Sequence, residues 1–302
     1  MEHRTWYRKS SSGEGDIFSR AYIVENPKGI FQIAHGMCEH AGRYEAFAKS
    51  LAEEGYIVCA NDHLGHGESH LGCSGGFANK DGGFDYIIQD IHLLFEEMKA
   101  EFPGVPLILL GHSMGSILSA LFAEEYSYLD QLILMGTPSQ NKMSGFALWL
   151  LGRNVKKHGY TYESKLCNYI MWGAEAPTLE RKRKSKAWLS YDSDNIEKFI
   201  TDKKCTFSFN DSANLELVRG LAKWGEPTWG DKIGDIPILI IAGAEDKIGG
   251  NGKGPTYYYK KLSEKHTKVT LNLIKGNKHE VLNEINKKEN GQYIIDWLNN
   301  KK

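Results

Sequence analysis

The sequence predicts an α/β architecture: a mostly parallel sheet covered by helices on both faces and interrupted once by a helical insertion. Three observations carry this. Short apolar runs alternate with longer amphipathic stretches, the pattern of sheet strands buried on both faces by crossover helices. The rhythm stops after Gly136-Thr137-Pro138 and resumes about 100 residues later at Ile238 to Ala242, a gap too long to be structureless inside a compact domain. Finally, Leu107 to Gly115, LILLGHSMG, sets a serine between two glycines at the junction of an apolar run and an amphipathic one.

In chain order, Arg4 to Lys9 and Ile17 to Val24 read as an opening hairpin joined by SSSGEG. Gly29 to Ala34 is a short strand that runs into His35-Gly36-Met37. Tyr44, Phe47, Ala48 and Leu51 mark a helix within Ala41 to Glu54, and Gly55 is its natural stop. Tyr56 to Ala60 is the next strand, ending in the polar loop DHLGHGES. Phe84, Ile87, Ile88, Ile91, Phe95 and Met98 define an amphipathic helix closed by Pro103 and Gly104. The Leu107 strand is followed by a helix carrying Met114, Ile117, Leu118, Leu121 and Phe122, and then by a strand at Gln131 to Met135. Residues 139–212 read as an inserted helical cap, so residues 1–138 and 213–302 form the core. A helix from Ala213, a strand at Ile238 to Ala242, a helix near Tyr257 to Lys265, a strand at Val269 to Ile274 and a last helix complete it.

Composition narrows the function. The 302 residues are 41% hydrophobic and 25% charged, enough for a large core, and the formal net charge of -1 gives no global basic field for nucleic acid. No run approaches the length of a membrane span, and the opening MEHRTWYRKSSSGEGD has neither an apolar core nor a cleavage signal. Five scattered cysteines (Cys38, Cys59, Cys73, Cys167, Cys205) lack metal spacing and are expected as free thiols in a reducing cytoplasm. Asn210-Asp211-Ser212 is a formal glycosylation site, without meaning unless the chain is secreted.

Strand, sharp turn and helix around Gly111-His112-Ser113-Met114-Gly115 form the context of a nucleophile elbow; the bland alternative is a plain Gly-rich turn. Ser113 is then the candidate nucleophile, and it needs a base whose tautomer is fixed by an acid. In an elbow fold these follow in the order acid, then histidine. Beyond the insertion stand His266, in a Lys-rich helix where a solvated charge is expected, and His279, just past a strand end; His279 is the candidate base. The loop after Ile238 to Ala242 offers Glu245 and Asp246 side by side, of which only one can face the histidine, and Asp246 is preferred. Asp231 and Asp235 precede the strand and sit at its wrong end. The oxyanion requires two backbone N–H groups, assigned to Met114 and Met37, with His35 holding the Met37 loop by hydrogen bonds. His63 and His66, three apart on a Gly-rich loop, lack the further ligands of a zinc site, so no metal and no cofactor are expected.

Six stretches now carry a resemblance: HGMCEHAGRY (35–44), NDHLGHGES (61–69), GHSMG (111–115), WLSYD (188–192), GAEDK (243–247) and GNKHEVLNE (276–284). Together and in this order the chain resembles the monoglyceride lipase and lysophospholipase family, capped serine hydrolases of the α/β-hydrolase fold that are also grouped with serine aminopeptidases. The resemblance implies the triad Ser113, Asp246 and His279, an oxyanion hole from Met37 and Met114, and a cap between the two halves of the core. Two departures are visible. Ser116-Ile117 follow Gly115 where small residues are usual, and Met37-Cys38 replace the usual small residues of the oxyanion loop, which narrows the acyl site.

The expectation is therefore a cytoplasmic serine hydrolase for esters of acyl lipids, such as a monoacylglycerol or lysophospholipid. Within GFALWLLG, the residues Leu148, Trp149 and Leu151 are candidates to line the acyl site, with interior packing of the cap as the alternative. The same apolar segment is a candidate for peripheral contact with a lipid surface. The run Arg181 to Lys184 with Lys186 reads as a solvated helix face or, functionally, as a patch steering toward anionic lipid. An aminopeptidase would need acidic cap residues such as Glu163 or Glu175 to hold a free amine. A non-catalytic ligand-binding protein on the same fold is the rival from another class, and a complete triad argues against it.

Overall fold

A computed structural model describes residues 1–69, 75–139, 144–172 and 179–300. Eight strands form one sheet in the order β1-β2-β4-β3-β5-β6-β7-β8. These are β1 (Glu2–Lys9), β2 (Asp16–Ile23), β3 (Ile30–Ala34), β4 (Ile57–Asn61), β5 (Leu107–His112), β6 (Gln131–Met135), β7 (Ile238–Gly243) and β8 (Val269–Ile274). The opening hairpin β1–β2 is antiparallel and joins the sheet through an antiparallel β2–β4 pair; every later pairing is parallel. This is the α/β-hydrolase fold.

Side-chain alternation explains why the strands read as continuous apolar runs. Along β5, Leu107 and Leu109 enter one core layer while Ile108 and Leu110 enter the other, and all six residues of the strand are buried. The first layer is closed by α2 (Gly83–Glu101), α3 (Met114–Glu125), α8 (Asp211–Gly225) and α9 (Lys253–Ser263). The second is closed by α1 (Glu45–Glu53) and α10 (Lys287–Leu298). Two helices begin earlier than their periodicity suggests. Asn210 caps α8, its side chain accepting from Ala213 N–H, so the helix starts at Asp211. Pro255 lies in the first turn of α9, where a missing N–H costs nothing.

From β3 the chain passes through α1 to β4 on one side, then through α2 to β5 on the other. The strand order therefore reverses between β3 and β5, the position where α/β sheets bind ligands at the carboxyl ends of their strands. Loops leaving β3, β5, β7 and β8 share that end.

Between β6 and α8 lie α4 (Ser144–His158), α5 (Lys165–Trp172), α6 (Leu179–Lys186) and α7 (Ser193–Thr201). Leu151, Val155 and Cys167 pack there against Leu215 and Val218 of α8. Fully buried Asp211 ties the junction, accepting from Asn154 Nδ2 (2.7 Å) and from Ser164 N–H (3.0 Å). Two cations of the basic run on α6 are ion-paired, Arg183 with Glu197 and Lys184 with Glu180, and Lys186 lies over the Phe199 ring. Among the described residues no helix is long and apolar enough to cross a membrane.

Candidate active site

Ser113 sits at the β5–α3 junction with φ 53° and ψ -115°, a region that L-residues occupy at a cost on the order of 1–3 kcal/mol and that clusters at functional sites. The flanking glycines are required sterically. A Cβ on Gly111 would lie 2.1 Å from the Gly115 carbonyl oxygen, and one on Gly115 would lie 2.0 Å from that of Ala34. The turn is pinned by Ser113 N–H to Met135 O (3.0 Å) and by Ser116 Oγ–H to Ser113 O (2.6 Å). It places Ser113 at the N-terminus of α3, where the helix dipole favours negative charge.

Asp246 is fully buried in the loop after β7. Its Oδ2 accepts from His279 Nδ1 at 2.9 Å, and its Oδ1 accepts from Ile248 N–H at 2.8 Å. Glu245 points elsewhere, accepting from Gly276 N–H (3.1 Å) and from the Tyr191 hydroxyl. Of the two adjacent acids only Asp246 meets the histidine. His266 is not the solvated charge expected of a Lys-rich helix: it is buried and bonded to Gly230 O at 3.0 Å, while Asp231 and Asp235 hold Lys265 and Thr267.

The Met37 loop is held by neutral histidines. His35 Nε2 accepts from His63 N–H (2.8 Å), so its Nδ1–H donates to Gly36 O (2.8 Å), and His63 Nε2–H donates to His35 O (3.2 Å). Burial and its histidine neighbour lower His63 to about 3, and burial lowers His66 to about 4. His66 Nδ1–H is turned to Leu64 O, and its ring packs against Phe77, Phe207 and Phe209 with Nε2 bonded to no protein group. His40, Asp202 and Cys205 also converge, but Gly42 N–H donates to His40 Nδ1, so Nε2–H closes on Asp202 without needing a metal.

These depressed values predict acid lability. The unfolded chain takes up protons near pH 6.5 while the fold keeps His63 and His66 neutral, so stability falls as pH drops from about 6.5 toward about 4 for His66 and about 3 for His63. His66→Phe suits the aromatic cage and should flatten the decline of Tm between pH 7 and 5. An unchanged slope would remove His66 from this role.

Sequence reasoning missed the charged network beneath the site. Buried Glu39 accepts from Gly36 N–H (2.6 Å), the Tyr44 hydroxyl (2.8 Å) and His112 Nδ1–H (2.9 Å), and also pairs with Arg43 (2.8 Å). His112 Nε2–H donates to His279 O at 3.3 Å. Both ring nitrogens of His112 thus face acceptors, an arrangement that favours the protonated ring. Burial opposes that charge, but the hydrogen bond and charge of Glu39 outweigh burial and raise its pKa. The visible signal was the Glu39/Arg43 spacing inside HGMCEHAGRY.

Of the candidate acyl-site residues in the insertion, Leu151 is buried in the α4–α8 contact, as the alternative of interior packing has it, and Leu148 is half-buried beside it. Trp149 is 62% exposed and pairs with Phe146 at 6.0 Å. Among the described residues of the insertion, Trp188 lies beside the His–Asp pair, its ring 5.2 Å from that of His279.

Fold and site define an α/β-hydrolase with an elbow serine and a buried His–Asp pair at one end of the sheet. The family profile described as Serine aminopeptidase, S33 matches residues 25–286, and the chain belongs to that family. It is 25% identical over 262 residues to the monoglyceride lipase of Mus musculus, covering 86% of this chain and 78% of that one. A monoglyceride lipase homolog of Monkeypox virus is 35% identical over 118 residues, 39% of this chain and 41% of the viral one. A thermostable carboxyl esterase from Bacillus coagulans, solved with glycerol, superposes with a TM-score of 0.90 at 25% identity over 99% of both chains.

Proposed function

We propose that the protein hydrolyses carboxylic esters of acyl lipids, a monoacylglycerol or lysophospholipid, through an acyl-enzyme. The observation that carries this reading is the buried Asp246–His279 hydrogen bond at the sheet end that also bears Ser113. Family membership, and relatives named monoglyceride lipase, support ester hydrolysis of acylglycerols.

The chemistry follows from proton positions. His279 Nδ1–H is committed to Asp246, which leaves Nε2 to take the Ser113 proton as Oγ attacks the ester carbonyl. Backbone N–H groups of Met114 and Met37 stabilise the tetrahedral oxyanion. The imidazolium returns its proton to the leaving alcohol, and water, activated by the same Nε2, clears the acyl group.

The inserted helices act as the cap. Phe146 and Trp149 of α4, with Leu166, Tyr169 and Ile170 of α5, are each more than half exposed, an apolar face suited to a lipid surface. Each substrate methylene buried there contributes about 0.8 kcal/mol. Trp149→Asp should therefore raise KM for long-chain monoesters far more than for a butyrate ester; equal losses on both would give Trp149 a structural role instead. The pairing of Arg183 and Lys184 with Glu197 and Glu180 supports reading the basic run of α6 as a solvated face. Cys38, Cys59, Cys167 and Cys205 are free, which supports a reducing, cytoplasmic location; Cys73 lies outside the described residues.

An aminopeptidase reading draws less support. Glu163 is exposed and takes a hydrogen bond from Asn168, and Glu175 lies outside the described residues. A screen of esters across acyl lengths and head groups, run beside a panel of peptide amides, tests the choice. Turnover of long-chain monoesters without amide cleavage is expected; preferential release of N-terminal amino acids would contradict it.

A further inference from the structure

The loop that presents His279 is not held by the core alone. On one side of the histidine, Lys278 N–H donates to Glu284 Oε1 at 2.7 Å. On the other, Glu280 N–H donates to Leu189 O at 2.9 Å. Glu284 is fully buried, and its second oxygen accepts from Ser190 Oγ–H and Tyr191 N–H, each at 2.8 Å. One carboxylate thus joins the backbone beside His279 to the segment of residues 187–192 between α6 and α7.

Further bonds lie around this clasp. Lys278 Nζ donates to Ala187 O at 2.6 Å and lies 3.7 Å from the centre of the Tyr191 ring. Lys287 pairs with Asp192 at 2.9 Å. The Glu280 carboxylate accepts from Asn195 Nδ2 (2.6 Å) and Arg43 (2.6 and 2.7 Å). Within the same segment, Trp188 lies against the imidazole of His279.

We propose that Glu284 is a positioning residue for the base: by clamping Ser190 and Tyr191 of the insertion to Lys278, it fixes the loop that aims His279. The insertion then does more than roof the substrate; its 187–192 segment is part of the scaffold of the catalytic histidine. This rests on His279 being the base. Truncating a buried carboxylate that accepts three hydrogen bonds leaves the Lys278 and Tyr191 N–H groups unmatched, with Ser190 Oγ–H keeping only Asn283 O at 3.2 Å, and so loosens both segments together. Misplacing a reacting group by about 1 Å costs about 10²-fold in rate.

The test compares Glu284→Ala and the milder Ser190→Ala, which removes one of the three donors to Glu284 together with the acceptor of Asp192 N–H, with His279→Ala, using a soluble butyrate ester. Expected for Glu284→Ala is a fall in kcat of about 10²-fold with KM within about twofold of parental. The downfield proton resonance of the His279–Asp246 hydrogen bond should broaden or vanish at a temperature where the variant remains folded. Ser190→Ala should lie between Glu284→Ala and the parent in both readouts. Parental kcat and an intact downfield resonance in Glu284→Ala, with His279→Ala inactive, would overturn the positioning role alone. An active His279→Ala would overturn the base assignment and this proposal with it.

Discussion

Ser113→Ala abolishes ester hydrolysis and leaves the fold intact. The elbow is built by the backbone: Gly111 and Gly115 approach carbonyl oxygens too closely for any side chain, and Ser113 N–H is bonded to Met135 O. Alanine keeps all of this and meets the same positive φ, so Tm should stay near the parental value. What disappears is the Ser113 hydroxyl. In serine hydrolases generally, loss of the nucleophile costs on the order of 10⁶-fold in kcat, and the residual rate comes from binding and the oxyanion hole. Purified Ser113→Ala with near-parental turnover of a soluble ester would remove the elbow serine from the mechanism.

Asp246→Asn produces the second largest loss, on the order of 10⁴-fold in kcat. Ile248 N–H already donates to Oδ1, so an asparagine keeps its carbonyl there and turns its amide NH₂ toward His279 Nδ1. Two donors then face each other, and the imidazole relieves the conflict by carrying its proton on Nε2, where it cannot accept one from Ser113. Glu245→Gln should stay within several-fold of parental, because Glu245 serves Gly276 and Tyr191. Rates measured side by side decide between the neighbours; the reverse ranking would transfer the role to Glu245.

The parallel strands were legible because each is buried on both faces, which leaves short, uniformly apolar runs bounded by turn residues. The elbow was legible because its steric demand falls on glycines, and its order after β5 and before α3 leaves few alternatives. The adjacent acids could not be separated so cleanly. Glu245 and Asp246 differ by which way the turn after Gly243 points them, and a preference for one was all that spacing allowed. Less legible were contacts between segments far apart in the chain. Glu39 meeting His112, Glu284 meeting Ser190 and Trp188 meeting His279 leave no periodic trace, since each depends on loops brought together by the sheet. His266 misled for the opposite reason: a lysine-rich neighbourhood implies solvent, yet its ring turns under Gly230. Within GFALWLLG the apolar count revealed a helix short of water-facing residues but not which residue faces where; Leu151 went inward and Trp149 outward.

The central claim is that Ser113 is a nucleophile activated by His279 and Asp246. A fluorophosphonate probe tests it most directly, because it reacts only with a serine made nucleophilic by its neighbours. Incubation of the purified protein with the probe, followed by peptide mapping, should give one adduct, on the peptide containing Ser113, with stoichiometric loss of ester hydrolysis. Labelling should be absent in Ser113→Ala and strongly slowed in His279→Ala. An unlabelled protein that still hydrolyses esters, or an adduct on another serine that accounts for the lost activity, would contradict the account.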